Sequence, residues 1–149
     1  MKIARTIWVW ARKIAIMPVG RIWWADAADA RRRCDWEVVA RRVEAVHRWH
    51  WENDNSRFLL AEAYGRLGRH REAIEQIERM RSVLMPPIRE QERLLQTAHS
   101  LNHLDRVQEA LEALPPPDSI EDVFPDYVEE VQALYQNLID RSDSSTQES

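Results

Sequence analysis

Apolar residues recur at spacings of three and four along segment 54–87, which is the period of an amphipathic α-helix. Gly68 separates two such stripes. Glycine is favoured at a turn between helices, because it has no Cβ to oppose the left-handed backbone that often ends a helix. The pattern therefore predicts two packed helices, near 54–67 and 70–84. Their apolar and small positions are Leu60, Ala61, Tyr64, Leu67, Ala73, Ile74, Ile77 and Met80.

The same pattern returns 34 residues further along the chain. In that shifted copy, Val107 takes the place of Ala73. Asn102 takes the place of Gly68, and asparagine also tolerates the left-handed conformation. The pattern predicts that Tyr64, Ala73 and Leu101 are buried between helices.

A backward shift by 34 residues gives a weaker copy with Cys34 at the turn. Its apolar positions are Ala27, Ala30, Val39, Val43 and Val46. The three copies are residues 20–53, 54–87 and 88–121, with the outer two helix pairs predicted near 21–33/35–50 and 87–102/104–114. A repeated helix pair predicts a stacked all-helical array without β-strands.

The sequence Ala-x-x-Tyr-x-x-Leu-Gly-x-x-x-x-Ala-Ile, from Ala61 to Ile74, resembles the tetratricopeptide repeat. The resemblance covers about two thirds of the chain through the three copies. It implies an all-α, right-handed α-solenoid of about three helical hairpins. It also implies a non-enzymatic scaffold, adaptor or chaperone. In that family the first helix of each pair lines a groove that accepts an extended peptide or a helix.

By this resemblance the groove carries more arginines than acids, together with aromatic side chains. Arginine binds carboxylates through two parallel hydrogen bonds, so an acidic or extended segment of another protein is the expected partner. The groove residues implied are Arg21, Trp24, Arg31, Arg32, Asn55, Phe58, Glu62, Arg66, Arg89, Gln96 and His99.

Of two narrower comparisons within the family, the first is unfavourable and the second is favourable. Co-chaperones of the heat-shock proteins hold a C-terminal carboxylate with lysines and asparagines, but this chain has Trp24 and Ala28 at such positions. The stretch Asp-Asn-Ser-Arg-Phe-Leu-Leu, from Asp54 to Leu60, is similar to the tetratricopeptide chaperones of type III secretion. That resemblance implies a chaperone that holds translocator subunits in the bacterial cytoplasm.

A further apolar stripe after the third copy predicts a capping segment at 122–141. Its helix is predicted near 124–140, with Pro125 in the first turn. Such an array needs an end helix with a polar outer face. The polar tail 142–149 is predicted to be disordered. The apolar stripe is formed by Phe124, Tyr127, Val128, Val131, Leu134, Tyr135 and Leu138.

The pattern of residues 1–19 predicts a separate amphipathic helix, which is expected to end at Pro18 and Gly20. Apolar residues fill about half of its circumference. The first 24 residues contain no acid. The residues expected to dock on a membrane or partner are Lys2, Arg5, Trp8, Trp10, Arg12 and Lys13.

All seven tryptophans lie at or before position 51, and they leave several interpretations of this helix open. The favoured one is that the tryptophans pack the helix on the first copy, which lacks leucines. A second is an interfacial helix on an anionic membrane. A third is an organellar presequence, although the segment has no serine. No run of about 20 apolar residues predicts a membrane span.

Composition narrows the chemistry further. The three glycines, Gly20, Gly65 and Gly68, are not spaced to form a phosphate-binding loop. Cys34 is the only cysteine, as expected in a reducing, cytoplasmic location. No nucleophile or zinc-protease motif occurs, so neither catalysis nor a metal or cofactor is expected.

The formal net charge of −4 is unevenly distributed, because residues 1–53 are basic and the rest of the chain is acidic. Arg31–Arg33 beside tryptophans leave nucleic-acid binding as the alternative function, although interleaved acids oppose it.

Overall fold

The computed structural model describes residues 2–49, 52–82 and 87–147, without the side chains of 2–6, 8–9, 12–16, 87–88 and 144–147. Throughout these ranges the regular structure is helical and no strand occurs, which confirms the all-α prediction. A 3₁₀ turn at Pro117–Ser119 precedes α7. The α-helices are α1 (Lys2–Arg32), α2 (Trp36–Arg48), α3 (Asp54–Arg66), α4 (His70–Glu78), α5 (Pro87–His103), α6 (Val107–Ala113), α7 (Ile120–Val123) and α8 (Val128–Gln147).

Each helix from α1 to α5 packs on its successor, and α8 packs on both α6 and α7. Contacts of α3 with α5, and of α5 with α8, join alternate helices. One core cluster lies between α1, α2, α3 and α4. A second lies between α5, α6, α7 and α8 and also includes Ile74 of α4. Tyr64, Ala73 and Leu101 are all buried, as the sequence pattern predicted.

A capping box fixes the start of α3 against the end of α2. The Ser56 N–H donates to Asn53 Oδ1 at 2.9 Å, and the Asn53 N–H donates to Ser56 Oγ at 3.0 Å. His47 Nε2 from α2 lies 2.8 Å from the same Ser56 Oγ. These contacts satisfy orphan backbone donors of the first turn, and Ser56 is fully buried.

Three turns share one backbone geometry, in which a residue with positive φ follows the first helix of a pair. These residues are Cys34 (φ 56°), Gly68 (φ 75°) and Asp105 (φ 58°). After each of them, the next N–H bonds back to the preceding helix: Asp35 to Ala30 O, Arg69 to Tyr64 O, and Arg106 to Leu101 O. By residue number, the first two turns are 34 residues apart and the last two are 37 apart.

The third copy therefore departs from the predicted 34-residue register by three residues. Asn102 is not at the turn but within α5, and Asp105 has the left-handed conformation. The counterpart of Ala73 is the fully buried Ala110 rather than Val107. The shift accompanies the greater length of α5, which has 17 residues where α3 has 13.

The prediction that Pro18 and Gly20 end the first helix is wrong. α1 is a continuous helix of 31 residues, and Pro18 lies inside it. Proline removes one backbone N–H and crowds the carbonyl four residues earlier. Helical segments continue on both sides of Pro18, so the loss of one backbone hydrogen bond there does not end α1. Separate helices at 1–19 and 21–33 therefore do not occur.

The C-terminal helix also differs from its prediction. It begins at Val128, and Pro125 lies in the preceding turn instead of in the first helical turn. Phe124 has an extended φ of −125°, because a residue before proline is disfavoured in the helical region. Residues 142–147 continue α8, so the predicted disorder of the tail is wrong there. Positions 148–149 lie outside the described residues.

The predicted second helix near 70–84 is shorter in the structure, because α4 ends at Glu78. Beyond it the chain bonds back to the start of α3. Asp54 Oδ2 accepts the Ser82 N–H at 3.1 Å and the Ser82 hydroxyl at 2.6 Å. These bonds lower the pKa of Asp54, the Ser82 hydroxyl contributing most. The remaining positions of that prediction, 83–84, are outside the described ranges.

Candidate functional site

Two adjoining cavities follow α1, α3, α5 and the turn before α8. They share Phe58 and Glu62 and therefore adjoin, and the two cavities together are called the groove below. The arginine cavity has a volume of about 450 Å³ and is lined by Trp24, Ala28, Arg31, Arg32, Cys34, Trp36, Asn55, Phe58, Leu59, Glu62 and Arg89. The histidine cavity has a volume of about 310 Å³ and is lined by Phe58, Glu62, Gly65, Arg66, His70, Glu92, Leu95, Gln96, His99, His103, Tyr127 and Glu130.

Arg31 is held by carboxylates at the junction of the two cavities. Its Nε donates to Glu62 Oε2 at 2.8 Å, and its Nη2 donates to Glu62 Oε1 at 3.1 Å. Glu92 is a second, more distant acid at 3.9 Å. The hydrogen bond to Glu62 raises the pKa of Arg31. Arg31 therefore links α1 to α3 and is not an unpaired donor for a ligand.

The other groove arginines are held less tightly. Arg32 donates to Asp29 on its own helix at 3.0 Å, and both side chains are exposed. The Arg66 guanidinium lies 5.8 Å from the ring centre of Trp36, which is a cation–π distance. Among the described side chains, no carboxylate forms an ion pair with Arg66 or Arg89. Positive charge is therefore available along the groove.

Both histidines and acids line the histidine cavity. The rings of His70 and His103 stack with centres 4.3 Å apart and an angle of 6° between their planes. His99 Nε2 donates to Glu130 Oε1 at 3.1 Å, and the Tyr127 hydroxyl donates to Glu92 Oε1 at 3.3 Å. Burial, and next the charge on Glu92, raises the pKa of Tyr127. These bonds tie α5 to the chain around α8.

A close approach of α5 to α3 forms the floor between these groups. A Cβ placed on Gly65 would lie 1.9 Å from Gln96 Nε2, so the absent side chain lets Gln96 lie across α3. Gln96 Nε2 also donates to Ser100 Oγ at 2.9 Å, and Ser100 is fully buried. Gly65 therefore matters here for space rather than for backbone conformation.

The unfolding free energy should fall as the pH is lowered from 7 to 5, because His47 and His70 favour the neutral form in the folded chain. Burial lowers the pKa of His47; burial, followed by the neighbouring His103 and His99, lowers that of His70. Below about pH 6.5 the unfolded chain therefore binds more protons than the folded chain. Stability is lost from there downwards, through the lowered folded-state pKa values.

Urea unfolding at the two pH values measures this loss, and His70→Asn should show a smaller loss than the original chain. Comparing the two proteins removes the contribution of carboxylates, which they share. A pH dependence identical in both proteins would contradict the assignment to His70.

Ten of the eleven groove residues expected from the sequence line the two cavities. The exception is Arg21, which is exposed and lies outside both linings. Of the six expected N-terminal docking residues, Trp10 is exposed on α1. The side chains of the other five, Lys2, Arg5, Trp8, Arg12 and Lys13, lie outside the described set.

The sequence did not predict several polar and aromatic groove residues, among them Trp36, His70, His103, Tyr127 and Glu130. His99 and His103 are four residues apart on one helix face, which was a usable signal for His103. Tyr127 and Glu130 reach the groove from the region of α8, whose position follows from tertiary packing. Within the described ranges, no group of three or more histidine, cysteine or acidic side chains is placed to hold a metal ion.

No protein-family model matches this chain, and neither does any curated protein or solved structure.

Proposed function

We propose that this chain is a non-enzymatic adaptor or chaperone that holds an extended, acidic segment of another protein in the groove. The observation that carries the proposal is that the two cavities adjoin at Phe58 and Glu62. An open surface that extends across α1, α3, α5 and the turn before α8 suits a chain segment better than a small molecule, for which enclosed pockets are typical.

The chemistry of the groove supports an acidic segment with an aromatic or apolar anchor. Arg66 and Arg89 offer forked donors to carboxylates, and Trp24 and Trp36 offer rigid apolar surface beside them. Arginine and tryptophan are enriched among the residues that contribute most to protein–protein binding. The acids in the histidine cavity give the groove two chemically different ends, which favours one direction of the bound segment.

The repeated turn geometry at Cys34, Gly68 and Asp105 supports a tetratricopeptide-like array as the scaffold of this groove. In such an array the first helices of successive pairs lie side by side. Contacts of α3 with α5, and of α5 with α8, agree with that arrangement. The similarity of the stretch from Asp54 to Leu60 to type III secretion chaperones supports a protein client, because those chaperones hold other proteins.

Selection from a phage-displayed library of random 16-residue peptides tests the proposal. The original chain should select peptides that combine acids with an aromatic residue. Arg66→Glu/Arg89→Glu should bind them at least about 30-fold more weakly, because two charge-assisted contacts are replaced by repulsion. Fluorescence anisotropy with the selected peptides measures the change in Kd.

The matched control is Arg41→Glu/Arg71→Glu, which makes the same change in net charge at exposed positions on α2 and α4. It should bind the peptides as the original chain does, and both variants should keep the original melting temperature within a few degrees. Equal weakening in the two variants, or no selected peptide, would contradict a groove-specific site. Tighter binding of single-stranded RNA than of any peptide would favour the nucleic-acid alternative.

A further inference from the structure

The exposed apolar side chains that the structure describes are concentrated on one helix. In the described part, every large apolar residue that is exposed lies in α1. Ile7 is 62% exposed, Trp10 64%, Met17 42% and Ile22 59%. The expectation that the N-terminal tryptophans pack α1 on the first copy is therefore wrong for Trp10. Among the described residues, no helix has both the length and the apolar character needed to cross a membrane.

The continuity of α1 explains why the rest of the chain leaves this surface uncovered. Ala27 and Ala30 are fully buried, so they mark the side of α1 that packs on the body. Successive residues of a helix are about 100° apart, which places Ile7 about 160° around the helix from Ala27. Trp10 lies about 160° from Ala30 on the same basis. A break at Pro18 could have rotated the apolar side inwards, but no break occurs.

The charge of the segment restricts what can cover it. Lys2, Arg5, Arg12, Lys13 and Arg21 are its charged side chains, and the first acid is Asp26. A second copy of the same segment would bring five more cations without an acid to pair with them. A surface that combines an apolar layer with an anionic layer complements both the exposed apolar side chains and the positive charge of this helix. The interface of a bilayer that contains anionic lipids has this character.

We infer that residues 2–22 of α1 form an interfacial helix that docks the chain on the surface of an anionic bilayer. Ile7, Trp10 and Met17 enter the boundary between headgroups and acyl chains, where tryptophan is favoured. The basic residues bind the anionic headgroups. The arginine and histidine cavities are lined from Trp24 onwards and not by this segment, so the groove remains open to a partner.

Co-sedimentation of the full chain with vesicles tests this inference. The protein should bind vesicles of 30% phosphatidylserine in phosphatidylcholine, with at least about tenfold weaker binding to phosphatidylcholine alone. Raising the salt from about 0.1 M to 0.5 M should also weaken binding, because the shorter Debye length screens the basic residues. Arg12→Glu/Lys13→Glu should lose binding, whereas Arg41→Glu/Arg71→Glu, with the same net charge, should keep it.

A second variant separates insertion from simple charge attraction. Trp10→Gln/Met17→Gln leaves the charge unchanged and should still weaken vesicle binding at least about tenfold. Circular dichroism and the melting temperature of each variant check that the fold is retained.

The inference is overturned if the original chain does not bind phosphatidylserine vesicles at low salt. Equal binding by Arg12→Glu/Lys13→Glu would also overturn it. Loss of a dimer by Trp10→Gln/Met17→Gln in sedimentation velocity, without vesicle binding by the original chain, would assign the apolar face to a second copy. None of these results depends on peptide binding in the groove, so the two proposals succeed or fail separately.

Discussion

Ala73→Asp should lower the free energy of unfolding by roughly 3 kcal/mol or more. Ala73 lies fully buried in α4, in the cluster that also contains Ala61 and Tyr64. The introduced carboxylate would have no cation inside this cluster, whose other members are apolar side chains and the Tyr64 ring. The chain must therefore bury an unpaired charge, protonate it, or open the helix pair. Each of these outcomes costs stability.

Ala133→Asp is the matched control, because Ala133 is exposed on α8. The same substitution there changes mainly helix propensity, which costs about 0.6 kcal/mol. Urea unfolding followed by circular dichroism measures both variants. For a chain of this length, 3 kcal/mol corresponds to a fall in Tm of about 6–12 °C. Equal losses at the two positions would contradict the burial of Ala73.

Local pattern was sufficient for the helices whose sequence signal is complete. α3 begins at the predicted Asp54, because an asparagine cap precedes an apolar period of three and four. The turn at Gly68 occurs where predicted, because glycine takes the left-handed conformation without a Cβ clash. These features depend on neighbours within about one helical turn, which the sequence shows directly.

The predictions were wrong where the outcome depends on distant contacts, or on the balance between a local effect of proline and the stability of the surrounding helix. A proline usually ends a helix, but at Pro18 long helical segments on both sides continue through it. At the other end, Pro125 removes Phe124 from the helical region, and the buried Phe124 then packs in the second core cluster. Proline disfavours a helix in the same way at both positions, and the surrounding structure decides whether the helix ends there.

Part of the groove lining could be predicted, because it follows one face of the alternate helices α1, α3 and α5. The error in register explains one omission. A shift of 37 residues relates Glu62 to His99 and Arg66 to His103, and all four line the histidine cavity. The predicted shift of 34 relates Arg66 to Ser100 instead, which is fully buried. Asp105, the residue with positive φ, was a weak signal for the correct register, because aspartate tolerates that conformation less readily than glycine.

The register of the third copy predicts that Ala110→Asp is far more damaging than Val107→Asp. Ala110 is fully buried in the second core cluster, so its replacement should lower the unfolding free energy by roughly 3 kcal/mol or more. Val107 is only partly buried and is the first residue of α6. An aspartate near a helix N-terminus is stabilised by about 0.3–1 kcal/mol through the helix dipole. That gain offsets part of the lost apolar contact at Val107.

Urea unfolding of the two variants distinguishes the registers, because a 34-residue repeat requires the opposite order. In that register Val107 would be the counterpart of Ala73, and its replacement would be the more damaging one. Val107→Asp should cost no more than about half as much as Ala110→Asp if the left-handed turn is at Asp105. Ala113→Asp, at a partly buried position one turn further along α6, serves as a control for the helix propensity of aspartate. A larger loss for Val107→Asp than for Ala110→Asp would place the turn at Asn102, and it would move His103 out of the groove.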